Sequence, residues 1–327
     1  MPRKNIVQAI REATRLEMAQ DERTLLIGQS VQGSLFGTGA GLVAEFGPDR
    51  VIDTPLAEST AAGAAIGMAL TGYRPILEHI ASFSMASFEE LFLLAPSWKM
   101  LHDQAVPLTM LLIGGGGTGS PDHSVLPLGI GLQCPGLKIV VPSNAYDAKG
   151  LLATAVADPN PVLFMAHVHT LADRTEVPDE RYTIPFGQAQ VVRPGDDVTV
   201  VTSSFGVKLA LRAAEALADE ISVEVIDLRT LEPLDVPTVL ASVRRTRRAV
   251  VVDQDIDRGG LAAELAATLS SACFGSLLAP VQRVARLPVP VPGGLAGDLF
   301  VQPDAEKIVE AVRATTRATV PQSKGRG

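Results

Sequence analysis

The feature that most constrains this chain is a series of short, almost purely apolar segments, each separated from the next by a stretch of helical periodicity. Segments 24–27, 106–113, 137–141 and 161–165 lack the in–out alternation of a half-solvated strand, and 74–78 reads as a further strand with charge only at its two ends. They therefore call for burial on both faces, as strands of a parallel sheet covered by helices have. Between them, residues 6–18 place Ile6, Ala9, Ile10, Ala13 and Leu16 on one helical face. Residues 83–98 do the same with Phe88, Leu91, Phe92 and Ala95, and 146–157 reads as a third helix. Strands alternating with helices predict a parallel α/β layer. A second such series follows, with strands 198–202, 222–227, 249–253 and 281–284 and helices 207–217, 236–243, 261–271 and 304–317.

The chain's 327 residues exceed the ~250–300 at which a single core stops growing, so two domains are expected. Residues 170–195 turn polar and proline-bearing, which predicts a first domain at 1–175, a linker at 176–195 and a second domain at 196–327. The proline-rich stretch 287–297 is expected on the surface. Apolar residues make up 46% and aromatics only 4%, so the core must be built from Ala, Val, Leu and Ile. With a net charge of −8 and no basic stripe interleaved with aromatics, nucleic acid is not an expected partner. The basic run 244–248 reads as a solvated helix terminus. Cys134 and Cys273 give neither a disulfide framework nor a metal spacing. No window approaches the ~20 apolar residues of a membrane span, and no signal-peptide core is visible, so a soluble, cytoplasmic protein is expected.

Chemistry is concentrated in 51–60, where a strand ending at Ile52 passes through Pro55 into the small-residue helix 61–70. Glu58 sits at that handover with almost no charge nearby in sequence. A carboxyl in such surroundings is costly to ionise, and can keep its proton and donate a hydrogen bond. The competing reading is a helix N-terminal acid, favoured by the macrodipole or capped by Ser59 and Thr60. The glycines of loop 28–41 lack the G-x-G-x-x-G order, so no phosphate site is assigned there. His123 follows four glycines at 114–117 and is a candidate for proton transfer or anion binding. His167 and His169 alternate on one strand face and read as a structural pair, and His79 and His102 receive no role.

Four stretches, "DRVIDTPLAEST" (49–60), "DHS" (122–124), "CPGLKIVVPSNAYDAKGLL" (134–152) and "VEVIDLRTLEPLD" (223–235), resemble the beta subunit of thiamine-diphosphate-dependent 2-oxo acid dehydrogenases. These are the decarboxylating components of the pyruvate, branched-chain and acetoin complexes, and the resemblance runs from about residue 6 to 312. It implies two parallel-sheet domains, a pyrimidine-type thiamine-diphosphate domain followed by a transketolase C-terminal-like domain. It also implies that Glu58 bonds a ring nitrogen of the cofactor's aminopyrimidine, favouring the tautomer that accepts the thiazolium proton. Phe83, in "ASFSM", would lie on the pyrimidine face, with Leu56 and Gln29 among the cofactor contacts, and His123 would face the thiazolium and substrate. A monovalent cation such as potassium would be held by Leu108, Ala155, Asp158 and Asn160, with a plain Asp-Pro-Asn turn as the competing reading.

Neither "PGDDV" nor "AGDLF" is the "GDG…N" element that holds the metal and diphosphate in thiamine enzymes. The resemblance therefore implies an alpha subunit bringing magnesium and the diphosphate site in an α2β2 assembly, with a lipoyl acyltransferase as a further partner. Three places depart from the family: Gln29 replaces a usual acid, Gln133 a usual histidine, and "LLAPSWKMLHDQ" (93–104) a usual "NxAAKxxYMSGG". The expected activity is decarboxylation of a 2-oxo acid with acyl transfer to a lipoyl carrier. The alternatives are a two-polypeptide transketolase-like carboligase and a catalytically silent structural paralogue.

Overall fold

The computed structural model describes residues 1–317, which fall into two compact units. The first comprises Met1–Gln188, Arg229–Leu234 and Pro290–Phe300. In chain order it begins with β1 (Arg3–Asn5), α1 (Ile6–Gln20), β2 (Thr24–Gln29), α2 (Leu42–Phe46), β3 (Val51–Thr54), α3 (Glu58–Leu70) and β4 (Arg74–Ile80). It continues with α4 (Ala95–His102), β5 (Thr109–Gly114), α5 (Leu128–Gly131), β6 (Lys138–Val140), α6 (Ala145–Ala157), β7 (Val162–His167) and β8 (Arg174–Glu176). Local sequence starts the helices where expected. Asn5 accepts from the Gln8 N–H at 2.8 Å while the Gln8 carboxamide accepts from the Asn5 N–H at 3.0 Å, a reciprocal cap that opens α1. Asn144 likewise accepts from the Asp147 N–H at 2.9 Å and opens α6.

Seven strands form the first unit's sheet in the order β12 (Thr230–Glu232), β6, β7, β5, β4, β2, β3. All pairings are parallel except β12 on β6, an antiparallel edge. From β2 the chain moves outward to β3 and then crosses back to β4, so the connections leaving β2 and β4 part in opposite directions. Their carboxyl ends border the crevice where open α/β sheets bind ligands. Gly28 lets the two strands meet there, because a Cβ at this position would lie 2.5 Å from the Glu78 carbonyl oxygen. The central strands are apolar and fully covered, and α1 and α6 pack together over Leu26, Ile76, Leu111 and Phe164.

Two expectations change in this unit. The single helix expected at 83–98 is a 3-10 turn (Ala81–Ser87), a π-helical segment (Glu89–Leu94) and then α4. Residues 176–188, within the stretch expected to be a linker, belong to the first unit. Val177 and Ile184 are buried in its core, and the Lys149 ammonium, 1% exposed, donates to the carbonyls of Pro178 (2.5 Å) and Asp179 (3.0 Å). Arg181 pairs with Glu17 at 2.7 Å, and Tyr182 stacks on Tyr146. Polarity here reflects anchoring side chains rather than a free connection.

The second unit comprises Ala189–Leu228, Asp235–Val289 and the described residues from Val301. It contains β9 (Gln190–Arg193), β10 (Val198–Thr202), α7 (Phe205–Ala216), β11 (Val223–Asp227), α8 (Val236–Thr246), β13 (Ala249–Ile256), α9 (Leu261–Ala272) and β14 (Gln282–Arg286). Helix α10 (Leu295–Val301) lies almost wholly in the first unit, and α11 (Ala305–Arg317) closes the second. Its sheet runs β14, β13, β10, β11, β9, parallel except for the β9 edge. The basic run is less solvated than expected, since Arg245 pairs with Asp196 (2.7 Å) and Glu224. Among the described residues no helix is long and apolar enough to cross a membrane.

Candidate active site

A notch opens at the carboxyl ends of β2, β3 and β4. Gln29 ends β2, Thr54 ends β3, and Glu78, His79 and Ile80 end β4; with Ala57, Glu58 and Phe83 they line it. Each polar group is there because its strand stops being apolar where the sheet meets the crevice. Glu58 is the first residue of α3, three positions earlier than the small-residue run suggested, and Ala57 before it provides no side-chain cap. The Ser59 hydroxyl donates to the Ala86 carbonyl and so does not cap the helix. The tight 3-10 turn after β4 brings Phe83 into the notch.

A second hollow shares Leu35, Phe36 and Ile80 with the first and is lined also by Thr118, Ser120 and His123. The His123 ring stands 5.0 Å from that of Phe83, edge to face. Its Nδ1 lies 3.0 Å from Ser120 Oγ and 3.3 Å from the Asp122 carboxylate, which orients the imidazole. Glu58, Phe83, His123 and Gln29, scattered over almost a hundred residues of sequence, thus line two adjoining hollows.

The electrostatics of the notch differ from expectation. Glu58 is only half-buried, and its neighbours include two ionisable groups. Burial pushes the Glu78 carboxyl up to about 7, against a hydrogen bond from the Thr38 hydroxyl that favours its charged form. Burial pushes His79 down to about 4, against the attraction of Glu58. Near neutral pH His79 is therefore uncharged and Glu78 stands between its two states. His79 Nδ1 is buried and has no hydrogen-bond partner among the described residues. Sequence reasoning missed both residues. Their signal was an acid and an imidazole at the carboxyl end of an otherwise apolar strand, a position that gains meaning only once the strand order is known.

The other expected site residues lie elsewhere. Leu56 does not line the notch and is 72% exposed. Gln133 follows α5 and donates to the Gly129 carbonyl at 3.4 Å. His167 is a buried neutral histidine, pushed down to about 3 by burial, whose Nδ1 accepts the His169 N–H at 3.2 Å, as a structural pair should. Of the four residues expected to hold a monovalent cation, Asp158 pairs with the Lys138 ammonium and accepts the Asn160 N–H at 2.9 Å. The carbonyls of Leu108 and Ala155 accept the N–H groups of Val162 (2.9 Å) and Asp158 (3.2 Å). A lysine thus pairs with the one carboxylate of the set, and each of the two carbonyls accepts a backbone N–H.

Residues 3–172 match the transketolase pyrimidine-binding domain family, and residues 187–308 match the transketolase C-terminal domain family. The pyruvate dehydrogenase E1 component subunit beta of Staphylococcus epidermidis is 40% identical over 323 residues, covering 96% of this chain and 99% of that protein. The subunit of the same description from Bacillus subtilis strain 168 is 39% identical, covering 96% and 98%. Among solved structures, a split-gene transketolase described as an inactive beta4 tetramer superposes with a TM-score of 0.76 at 22% identity, covering 96% of this chain and 99% of that one, a likeness of fold.

Proposed function

We propose a function from one premise: this chain belongs to the family of pyruvate dehydrogenase E1 beta subunits, built of the transketolase pyrimidine-binding and C-terminal domains. On that premise it is the beta subunit of a thiamine-diphosphate-dependent 2-oxo acid dehydrogenase, which decarboxylates a 2-oxo acid and passes the acyl group to a lipoyl carrier. The observation that carries the reading is the meeting of Glu58, Phe83 and His123 around adjoining hollows at the crevice between β2 and β4.

The residues present fit the aminopyrimidine side of the cofactor. Phe83 offers an aromatic face, Glu58 a carboxyl, and His79 a buried nitrogen that a polar heteroaromatic ring would satisfy. Bound there, thiamine diphosphate would supply an acidic thiazolium carbon as the nucleophile for 2-oxo acid chemistry. Glu58 would hold the aminopyrimidine through a hydrogen bond between its carboxyl and a ring nitrogen. Phe83 would pack on the face of the aminopyrimidine and exclude water from it. His123, with Ser120 on its Nδ1, has Nε2 left to bind the oxo acid carboxylate or to move a proton.

The magnesium and diphosphate site comes from an alpha subunit in an α2β2 assembly, and a lipoyl acyltransferase receives the product. In support, the relatives that this chain matches over almost their whole length are described as beta subunits. The test is to co-express the chain with its alpha partner and assay carbon dioxide release from a panel of 2-oxo acids, pyruvate first, with thiamine diphosphate and magnesium. Glu58→Gln is expected to abolish release while leaving assembly intact. Near-normal rates in that variant would remove Glu58 from its role, and two-carbon transfer to an aldehyde without lipoate would replace the dehydrogenase by a carboligase.

A further inference from the structure

The loop that carries His123 is held by a residue from the far end of the chain. Asp298, fully buried, points one carboxylate oxygen at three donors of this loop. Its Oδ2 accepts the N–H of Gly117 at 2.9 Å, the N–H of Gly119 at 3.1 Å and the Ser124 hydroxyl at 2.6 Å. Gly117 and Gly119 have φ of 82° and 78°, the left-handed region that lets a short loop turn alternate amides toward one point. Such converging amides form an anion-binding concavity, here filled by the chain's own carboxylate. The contact runs both ways, since the Gly294 N–H donates to the Gly119 carbonyl at 3.0 Å. Ser124 Oγ also lies 3.0 Å from the Ser120 carbonyl oxygen, and Ser120 is the residue that orients His123.

We propose that Asp298 is a positioning residue for the histidine loop: by gathering Gly117, Gly119 and Ser124 on one oxygen, it sets where Ser120 presents His123 beside Phe83. This goes beyond the assignment of His123 and rests on it only for the activity readout. Charge-assisted bonds to converging amides are shorter and stronger than neutral ones, so a neutral amide at 298 should not substitute for the carboxylate. Displacing a reacting group by about 1 Å costs on the order of 10²-fold in rate.

The experiment uses the full chain assembled with its alpha partner and compares Asp298→Asn and the milder Ser124→Ala with the parent, in the presence and absence of His123→Ala. Amide hydrogen exchange of peptides covering 115–125 is read alongside turnover. The expected result is lost protection confined to that loop in Asp298→Asn, a smaller loss in Ser124→Ala, and turnover lower by about 10²-fold and severalfold respectively. Neither substitution should lower the rate further once His123 is alanine, because the clasp acts through that ring. Unchanged exchange in both variants overturns the proposal, as does an equal rate loss in the His123→Ala background, which would indicate general structural damage. If the parent turns over no oxo acid, the functional reading fails and the exchange result alone decides the clasp. If Asp298→Asn does not assemble, the Ser124→Ala pair decides.

Discussion

Replacing Glu78 by Gln should stabilise the protein in alkaline solution and leave it little changed in acid. The Glu78 carboxyl is 3% exposed and is pushed from an ordinary 4.5 to about 7 by burial. Between those values the folded chain binds a proton that the unfolded chain has released. The contribution of this group is therefore fully present below pH 4.5 and is lost as pH rises through 7. At ~1.36 kcal/mol per pH unit the whole difference is about 3 kcal/mol, of which about 2 kcal/mol falls between pH 5.5 and 8.5. The glutamine keeps an acceptor for the Thr38 hydroxyl and carries no charge to bury. His79 runs the opposite way. Its folded value of about 4 against 6.5 gives stability that is present above pH 6.5 and lost as pH falls through 4. In the parent the two slopes largely cancel between pH 4.5 and 6.5, so the parent's pH profile alone decides nothing. Urea unfolding of parent and Glu78→Gln across pH 5.5–8.5 isolates the effect, because every other titrating group is common to both. The variant's advantage should grow by about 2 kcal/mol across that range. A constant difference would refute the buried-acid reasoning.

Other substitutions test the frame around the site. Gly28→Ala places a Cβ 2.5 Å from the Glu78 carbonyl oxygen, and thermal unfolding should show a loss of about 1–3 kcal/mol with β2 and β4 pushed apart at the notch. Lys149→Ala removes the buried ammonium that pins 178–179, and should cost about 3 kcal/mol and open 176–188 to limited proteolysis. Phe83→Ala should weaken thiamine diphosphate binding to the assembled enzyme by about tenfold, a loss of about 1.4 kcal/mol by titration calorimetry. Unchanged affinity would take Phe83 off the ring face.

The sequence by itself determined the architecture. Apolar runs such as 106–113 can be satisfied only between two helical layers, and their alternation with helices leaves few arrangements other than parallel α/β units. It also marked Glu58, Phe83 and His123, through local motifs. Tertiary structure decided what those motifs meet. Strand order brings the end of β4 beside β2 and β3, which makes Glu78 and His79 parts of the notch, a pairing that no spacing along the chain encodes. Asp298, read from sequence as part of a failed metal motif, is a buried carboxylate on the histidine loop. Residues 176–188 looked like a linker because their polar side chains Asp179 and Arg181 are anchors whose partners, Lys4 and Glu17, lie well upstream in the chain. Burial and charge balance depend on the neighbours that folding supplies, and periodicity reports only which face of an element turns inward.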